Sequence, residues 1–407
     1  MRPIDYGLPH MMHRCLLSVL MFAVFGVVPG SGVAESVAAK TPADASTGQR
    51  FVTAINAASG SELNALMDAD GIAVRVLAKL ELNAVDRVLY VERLKAEYGM
   101  LGYSVAAQML AQRAKATLLR SSPEGDGGDG GGFLARITTT DANNNVAFGY
   151  LQVSLDREGR IVDWYDHALA SSMSGQLAFS AAKMLTPAQV AQMLLGKAGD
   201  AADLAVLMTA FANAVNSGDM PLAHALLLEM PESIKARREF ATLRVNMARS
   251  VGMEAYGEAL ADLARRHGTA DELQFILIDH YLLSGKFELA LQAVNRAARV
   301  IGDDEVMDAN RCHALIDLGR KTDALAACDR AIARDPTFEL PRWSRVRLAL
   351  KTQDAPLAIQ SLTGVEQAQG GKKLNAGNLA KNSEYAWLAT QPEFAEWGAD
   401  RGASPPP

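Results

Sequence analysis

Several features that mark common functional classes are missing from this sequence, beginning with an excess of positive charge. Lysine and arginine together number 40 against 46 aspartates and glutamates, which gives a formal net charge of −6. A polybasic nucleic-acid binder is therefore excluded as the leading interpretation, because affinity for phosphate depends on clustered positive charge. Aromatic residues are also scarce, at 6%, which indicates a core built mainly from small aliphatic side chains.

The familiar motifs of catalysis and metal binding are absent as well. The chain has no P-loop and no H-E-x-x-H, G-x-S-x-G or C-x-x-C motif. Its histidines are scattered without the spacing of metal ligands. The acidic glycine run from Glu124 to Gly132 lacks the period and the glutamate of calcium-binding loops, so we interpret it as a hairpin tip. The sequence therefore predicts no catalytic residue, no metal site and no cofactor.

The first 34 residues have the features of a secretory signal peptide. Arg14 precedes a largely apolar run from Cys15 to Val28, and small residues ending at Ala34 offer a cleavage site. The run is shorter than the roughly 20 residues that a membrane-spanning helix needs, so a permanent anchor is the weaker alternative. We predict cleavage near Ala34, a periplasmic or secreted location, and no integral membrane segment after cleavage.

The pattern next changes from helical to strand-like. Residues 35–49 are small and polar and predict a flexible lead-in. From residue 50, apolar side chains recur at spacings of three and four, which is typical of helices. Four β-branched or aromatic runs, typical of strands, then follow at residues 116–121, 133–140, 146–155 and 161–168. The fold class predicted for residues 50–170 is an α+β domain with helices and a four-stranded antiparallel sheet. Its element order resembles the cone-shaped NTF2-like or cystatin-like group.

A repeat appears in the second half of the chain. Ala290, Ala324 and Ala358 lie 34 residues apart and have similar neighbours. This pattern resembles the tetratricopeptide repeat (TPR) family, whose unit is a pair of antiparallel helices. The resemblance implies an all-α solenoid of about five helical hairpins over residues 201–370, preceded by a linker helix over residues 171–200. Residues 371–407 are predicted to form an aromatic C-terminal cap, or alternatively a docking patch, and a Pro-rich tail.

Two cysteines fall within one predicted repeat. Cys312 and Cys328 lie on its two helices, equally far from the turn near Arg320. Antiparallel pairing would bring them to the same height, and in an oxidising compartment a disulfide would close a loop of about 17 residues and contribute about 3 kcal/mol. The alternative is a pair of free thiols that serve as small packing residues.

The resemblance to TPR proteins also implies a concave groove lined by the first helix of each unit. In this chain the groove positions are Phe275, Asp279, Leu283, Ala309, His313, Asp317, Trp343, Arg347 and Lys351. Their charges run from acidic to basic with apolar residues between them, which suits an extended peptide or a helix. The implied partner is another envelope or secreted protein. The alternative is a solvated face that binds nothing.

A polar and aromatic cluster marks the fourth predicted strand. Asp163, Tyr165 and His167 share one face by strand alternation. If that face lines a cavity, the three side chains could do acid–base work. Otherwise the strand exposes its polar face to water or seals a domain boundary.

The leading functional prediction is an exported periplasmic TPR scaffold that mediates protein–protein interaction in the cell envelope without catalysis. It depends on the predicted signal peptide, the 34-residue period and the missing catalytic motifs. The alternative is small-molecule binding or catalysis in a cavity of the N-terminal domain.

Overall fold

The computed structural model describes residues 46–80, 82–122, 130–141, 146–181, 185 and 201–402. The predicted signal peptide with its cleavage site lies outside these residues, as do the lead-in up to residue 45, the glycine run up to residue 129 and residues 403–407 of the tail. The chain divides into two compact units, with the boundary between Ile276 and Leu277.

The first unit contains helices, then strands, then further helices. Its described elements are α1 (Thr47–Asn56), α2 (Gly60–Leu66), α3 (Ala69–Lys79), α4 (Ala84–Tyr98), α5 (Leu101–Ala111), β1 (Lys115–Ser122), β2 (Gly132–Thr140), β3 (Val146–Leu155), β4 (Ile161–Asp166), β5 (Ser171–Ser172), α6 (Met173–Ala181), α7 (Ala201–Asn216), α8 (Met220–Leu228), α9 (Glu232–Lys235), α10 (Arg238–Val251) and α11 (Met253–His267). A 3₁₀ turn (Asp271–Leu273) leads into α12 (Gln274–Leu283), which crosses the boundary.

The second unit is helical throughout its described residues. Its elements are α13 (Phe287–Ile301), α14 (Glu305–Asp317), α15 (Lys321–Arg334), α16 (Leu340–Thr352), α17 (Ala355–Ala368), α18 (Ala376–Lys381), a 3₁₀ turn (Ser383–Tyr385), α19 (Ala386–Ala389) and α20 (Pro392–Gly398). The chain thus combines an antiparallel sheet and helices with a mainly helical C-terminal region, as the sequence predicted at this coarse level.

The sheet has five antiparallel strands in the order β1-β2-β3-β4-β5. The prediction of four strands was wrong, because it missed the short strand β5. Its two residues, Ser171 and Ser172, carry no alternating apolar pattern. β4 ends at Asp166 rather than at residue 168. It ends there because the Asp166 carboxylate accepts hydrogen bonds from the backbone N–H groups of Ala168 at 2.8 Å and Leu169 at 3.2 Å, which turns the chain.

Both faces of the sheet are covered near its centre. One face contributes to a buried apolar cluster together with helices of the first unit, through side chains that include Phe133, Ile137, Leu151, Val153 and Trp164 from the strands and Phe51, Ile55, Leu63 and Leu94 from the helices. The opposite face carries Tyr150 and Tyr165, which follow the alternation away from Leu151 and Trp164. The first helices therefore cover the face that does not carry the predicted polar cluster.

Helices α7 to α11 belong to the same unit as the sheet, and this unit extends to Ile276, whereas the predicted α+β domain ends at residue 170. The ring of Phe275 meets that of Tyr150 edge to face, with centroids 5.0 Å apart. From α10, Asn246 donates to the carbonyl of Leu169 at 3.1 Å, and Arg249 donates to the carbonyl of Ala168 at 3.2 Å. These contacts join the end of the sheet to helices that the sequence assigned to the repeat region.

The described part of the predicted linker, residues 171–200, is also integrated into the first unit. Helix α6 buries Leu177 and Ala181 in the apolar cluster and packs against α3 and β4. Asp163 of β4 accepts hydrogen bonds from the backbone N–H and the hydroxyl of Ser174, at 2.9 and 2.5 Å. The start of α6 is therefore fixed by the neighbouring strand, and this helix packs within the first unit. Residues 186–200 lie outside the described part.

Five helix pairs occupy residues 201–368, and four of them share one turn geometry. In these four the turn residue has a left-handed backbone, with φ of 76° at Gly218, 69° at Gly285, 72° at Gly319 and 51° at Gln353. Its N–H donates to the carbonyl three residues before it, and the next N–H donates to the carbonyl five residues before that one. This is the Schellman arrangement, which ends a helix by satisfying its last carbonyls.

An alanine with no exposed surface follows five residues after each of these turn residues. The four alanines are Ala223, Ala290, Ala324 and Ala358. Because the side chain is small, the backbones of neighbouring helices can approach closely at each of these points. The turn and the buried alanine together define a recurring local unit along the chain.

The C-terminal segment covers the last helix pair with aromatic side chains. Tyr385, Phe394 and Trp397 are buried in one cluster with side chains of α16 and α17, and Trp343 and Trp387 pack against it. The guanidinium group of Arg401 lies 4.7 Å from the Trp397 ring centroid and donates two hydrogen bonds to the carboxylate of Glu366, at 2.8 and 3.0 Å. The arrangement is that of a cap.

Among the described residues, no helix combines the length and the apolar composition that crossing a bilayer requires.

Candidate functional site

The nine predicted groove residues differ widely in exposure. Phe275 is buried against Tyr150 in the first unit, and only 1% of the surface of Ala309 is exposed in the second. Trp343 packs against the aromatic cap cluster. The structure therefore does not offer these three side chains as a free lining. Asp279 is half-buried, while Leu283 and Lys351 are exposed.

Charged groove residues of the second unit meet at one carboxylate. Asp317 accepts a hydrogen bond from Arg347 Nη2 at 2.6 Å and one from Lys351 Nζ at 3.3 Å. His313, one helical turn before Asp317, has its Nε2 atom 3.6 Å from the other carboxylate oxygen. Helices α14 and α16 thus place the acidic and basic groove positions in contact with each other. We call Asp317, Arg347 and Lys351 the α14–α16 charge cluster.

The ionisation of Asp317 is coupled to this cluster. Burial by itself favours the neutral carboxyl, but the hydrogen bond and charge of Arg347, with the charges of His313 and Lys351, outweigh it and lower the pKa below the ordinary 3.8. The carboxylate is thus charged at neutral pH and faces two permanent cations. This part of the surface keeps one positive charge in excess, carried outward by Lys351, whose side chain is 48% exposed.

A second carboxylate, missed in the sequence analysis, is held by three arginines. Asp308 of α14 is 1% exposed and lies 3.1 Å from Arg311, 3.0 Å from Arg330 and 3.2 Å from Arg334. Arg330 and Arg334 are one turn apart on α15, and Asp308 and Arg311 are three residues apart on α14, so the spacing carried a signal. These contacts hold α14 against α15, so their role is structural.

The same helix pair contains a disulfide between Cys312 and Cys328, whose Cα atoms lie 5.3 Å apart. Both residues are completely buried, beside Ala324 and Ala327. Of the two alternatives left open by the sequence, the structure has the bridged one. The disulfide joins the two helices near their middle and lies beside the Asp308 contacts.

The polar cluster of the first unit is only partly assembled. The Asp163 carboxylate accepts hydrogen bonds from Ser174 at the start of α6 and from the backbone N–H of Trp164. Tyr165 and His167 do meet, with ring centroids 4.9 Å apart in an edge-to-face arrangement. An Asp–His pair for acid–base work is therefore not formed by Asp163, and the prediction of a three-residue cluster is corrected to Tyr165 and His167.

Two neighbouring residues at the end of β4 have pKa values shifted in opposite directions. Burial raises the pKa of Asp166 to about 6, against the effect of its two backbone hydrogen bonds and the charge of Arg249. Burial lowers the pKa of His167 to about 4, and the charge of Arg120 adds to this. Both shifts follow from the cost of placing a charge away from water. His167 is therefore neutral at pH 7.

Metal ligation and similarity to known proteins give no further assignment. Among the described residues, no group of three or more histidine, cysteine, aspartate or glutamate side chains is arranged to hold a metal ion. Comparison of the sequence with protein-family models and with curated proteins finds no match. The features that bear on function are therefore the recurring helix pairs and the side chains that they present.

Proposed function

We propose that this protein is an exported, non-enzymatic scaffold whose TPR-like helix pairs bind another protein of the cell envelope. The observation that carries the proposal is the recurring turn with its buried alanine, which repeats 34 residues apart from Gly285 to Gly319 and again to Gln353. Stacked units of this kind bury a face that a single pair cannot bury, and they present a long surface to partners.

The exposed side of the first helices supports a protein ligand rather than a small one. On α12, α14 and α16 the groove positions that keep exposed surface include Asp279, Leu283, His313 and Lys351. They combine an apolar side chain with charges spread over three helices, which suits an extended segment or a helix. The excess positive charge of the α14–α16 charge cluster favours a partner segment that brings a carboxylate to Lys351.

The compartment belongs to the same proposal. The predicted signal peptide and the buried Cys312–Cys328 disulfide are both in keeping with an oxidising location outside the cytoplasm. The chain would fold after export and meet its partner there. Its mild negative charge does not oppose this, since partner recognition depends on the local surface.

The test compares partner capture by matched charge variants. Lys351→Glu reverses the exposed charge of the groove, and Lys381→Glu makes the same change in the exposed cap helix α18. The immobilised mature chain is incubated with an envelope fraction, cross-linked and analysed by quantitative mass spectrometry. We expect specific partners to be lost, about tenfold or more, with Lys351→Glu and retained with Lys381→Glu.

A change at Arg347 is avoided because its side chain is only 18% exposed and makes the shorter contact with Asp317, at 2.6 Å, whereas Lys351 is 48% exposed and lies 3.3 Å away. Circular dichroism verifies that both lysine variants are folded. Identical partner sets for the wild type and Lys351→Glu would count against the groove, and the absence of any specific partner would count against the scaffold.

A further inference from the structure

Two polar atoms in the first unit are buried without a hydrogen-bond partner among the described residues. They are the hydroxyl oxygen of Tyr165 and Nε2 of His167. The two rings touch edge to face, and the residue surface of His167 is only 2% exposed. A buried polar atom left unsatisfied costs about 1–3 kcal/mol, so such atoms in native proteins rarely lack a partner.

The surroundings of this pair include further aromatic rings and a charged pair. The N–H of His167 donates to the carbonyl of Tyr150, whose ring packs on Phe275, so two further aromatic rings lie close by. Arg238 and Glu272 form an ion pair whose charges act on Tyr165, and their side chains are 43% and 39% exposed. Tyr165 itself is half-buried. The charged side chains that act on Tyr165 are thus partly exposed to solvent.

The chemistry of the pair favours an uncharged ligand. Burial keeps the phenol of Tyr165 protonated and the imidazole of His167 neutral, so neither supplies a formal charge. Arg238 and Glu272 already neutralise each other. A charged ligand would lose its hydration beside two uncharged partner groups. The phenol can donate a hydrogen bond and a neutral imidazole nitrogen can accept one.

We propose that Tyr165 and His167 form a binding site for a small, neutral, planar molecule that carries both a hydrogen-bond acceptor and a donor, such as an aromatic amide. The acceptor takes the hydrogen bond of the Tyr165 hydroxyl, and the donor satisfies His167 Nε2. The planar body lies against the aromatic side chains of the site. The proposal does not depend on the function of the helix pairs.

The test uses benzamide as the probe and the full mature chain labelled with ¹⁵N. Long-range ¹H–¹⁵N spectra report the ring nitrogens of His167, which are assigned by their loss in His167→Gln. We expect benzamide to shift the Nε2 resonance in a saturable manner. Tyr165→Phe, which removes one oxygen atom, should weaken binding about tenfold, in line with the loss of one hydrogen bond. Tyr103→Phe, at a residue 42% exposed on α5, is the matched control and should leave binding unchanged.

Sodium benzoate, equal in size but charged, distinguishes a neutral ligand from an anion and should bind at least about tenfold more weakly. The proposal is overturned if benzamide at millimolar concentration leaves the His167 resonance in place, which would mean that water alone occupies the site. It is also overturned if Tyr165→Phe binds benzamide as well as the wild type does, or if benzoate binds as tightly as benzamide.

Discussion

Asp166 and His167 are adjacent in the chain, are both buried, and respond to pH in opposite senses. The folded carboxyl of Asp166 holds its proton more tightly than the unfolded one, because its pKa is raised from 3.8 to about 6. Its contribution to stability is present at low pH and is lost as the pH rises through that window. His167 has its pKa lowered from 6.5 to about 4, so its contribution is lost as the pH falls.

Removing one of the two groups should therefore reveal how the other changes the free energy of unfolding with pH. Between pH 4 and 6, the free energy of unfolding of Asp166→Asn should rise with pH more steeply than that of the wild type, by up to about 1.4 kcal/mol per pH unit. His167→Gln should change the slope in the opposite direction. Urea unfolding at pH 4, 5, 6 and 7 measures both slopes. Parallel curves for all three proteins would contradict the burial of these groups.

The sequence indicated the shared face of Tyr165 and His167 but not the role of Asp163. Period-two alternation places Tyr165 and His167 on one side, and the structure brings their rings together. Asp163 has the same parity, but its partner Ser174 comes 11 residues later, after the chain has turned at Asp166 and passed through β5. Alternation within a strand carries no information about a partner that arrives after such a turn.

At the scale of the helix pair, the turn residues differ in how well they suit their backbone. Gly319 and Gln353 occupy equivalent left-handed positions, yet only glycine adopts this conformation without steric cost from Cβ. A Cβ built on Gly319 has no atom within 4 Å, so the cost of a side chain there is conformational rather than a clash.

We expect Gly319→Ala to lower the free energy of unfolding by about 1 kcal/mol and Gln353→Gly to raise it by a smaller amount, because glycine also loosens the unfolded chain. Gly364→Ala, within helix α17 of the same unit, should be neutral or stabilising. Urea unfolding of the four proteins gives the comparison. Equal losses for Gly319→Ala and Gly364→Ala would show that the turn imposes no special demand.

The 34-residue period could be predicted from alanine spacing alone because each repeat keeps its packing residues near one another in sequence. The unit boundary could not, since it depends on pairs such as Tyr150 with Phe275, which are far apart in the chain. The contact between Asp317 and Arg347 could not be predicted either, because it depends on how α14 faces α16. From the sequence alone these two residues are only successive positions of the groove.

At the scale of the whole molecule, export and the disulfide are linked. A chain expressed from Glu35 and retained in a reducing cytoplasm should have Cys312 and Cys328 as thiols, whereas the exported chain should have them bridged. The bridge joins residues 16 apart and should add about 3 kcal/mol to the stability of the second unit.

Alkylation under denaturing conditions followed by mass spectrometry counts the free thiols in each preparation, and the same experiment locates the mature N-terminus. We expect no modified cysteine in the exported chain before reduction and two afterwards. The double variant Cys312→Ala/Cys328→Ala should be equally stable from both compartments. Two reactive thiols in the exported chain would contradict both the bridge and its proposed role.

The equivalence of the turns at Gly285, Gly319 and Gln353 also bears on how such a chain changes in evolution. The segment between two of these turns contains the second helix of one pair and the first helix of the next. A duplication or deletion of that segment therefore adds or removes two helices and joins the chain at equivalent turns. The number of pairs between the sheet-bearing unit and the aromatic cap is therefore the property of this architecture that a single genetic event alters most readily.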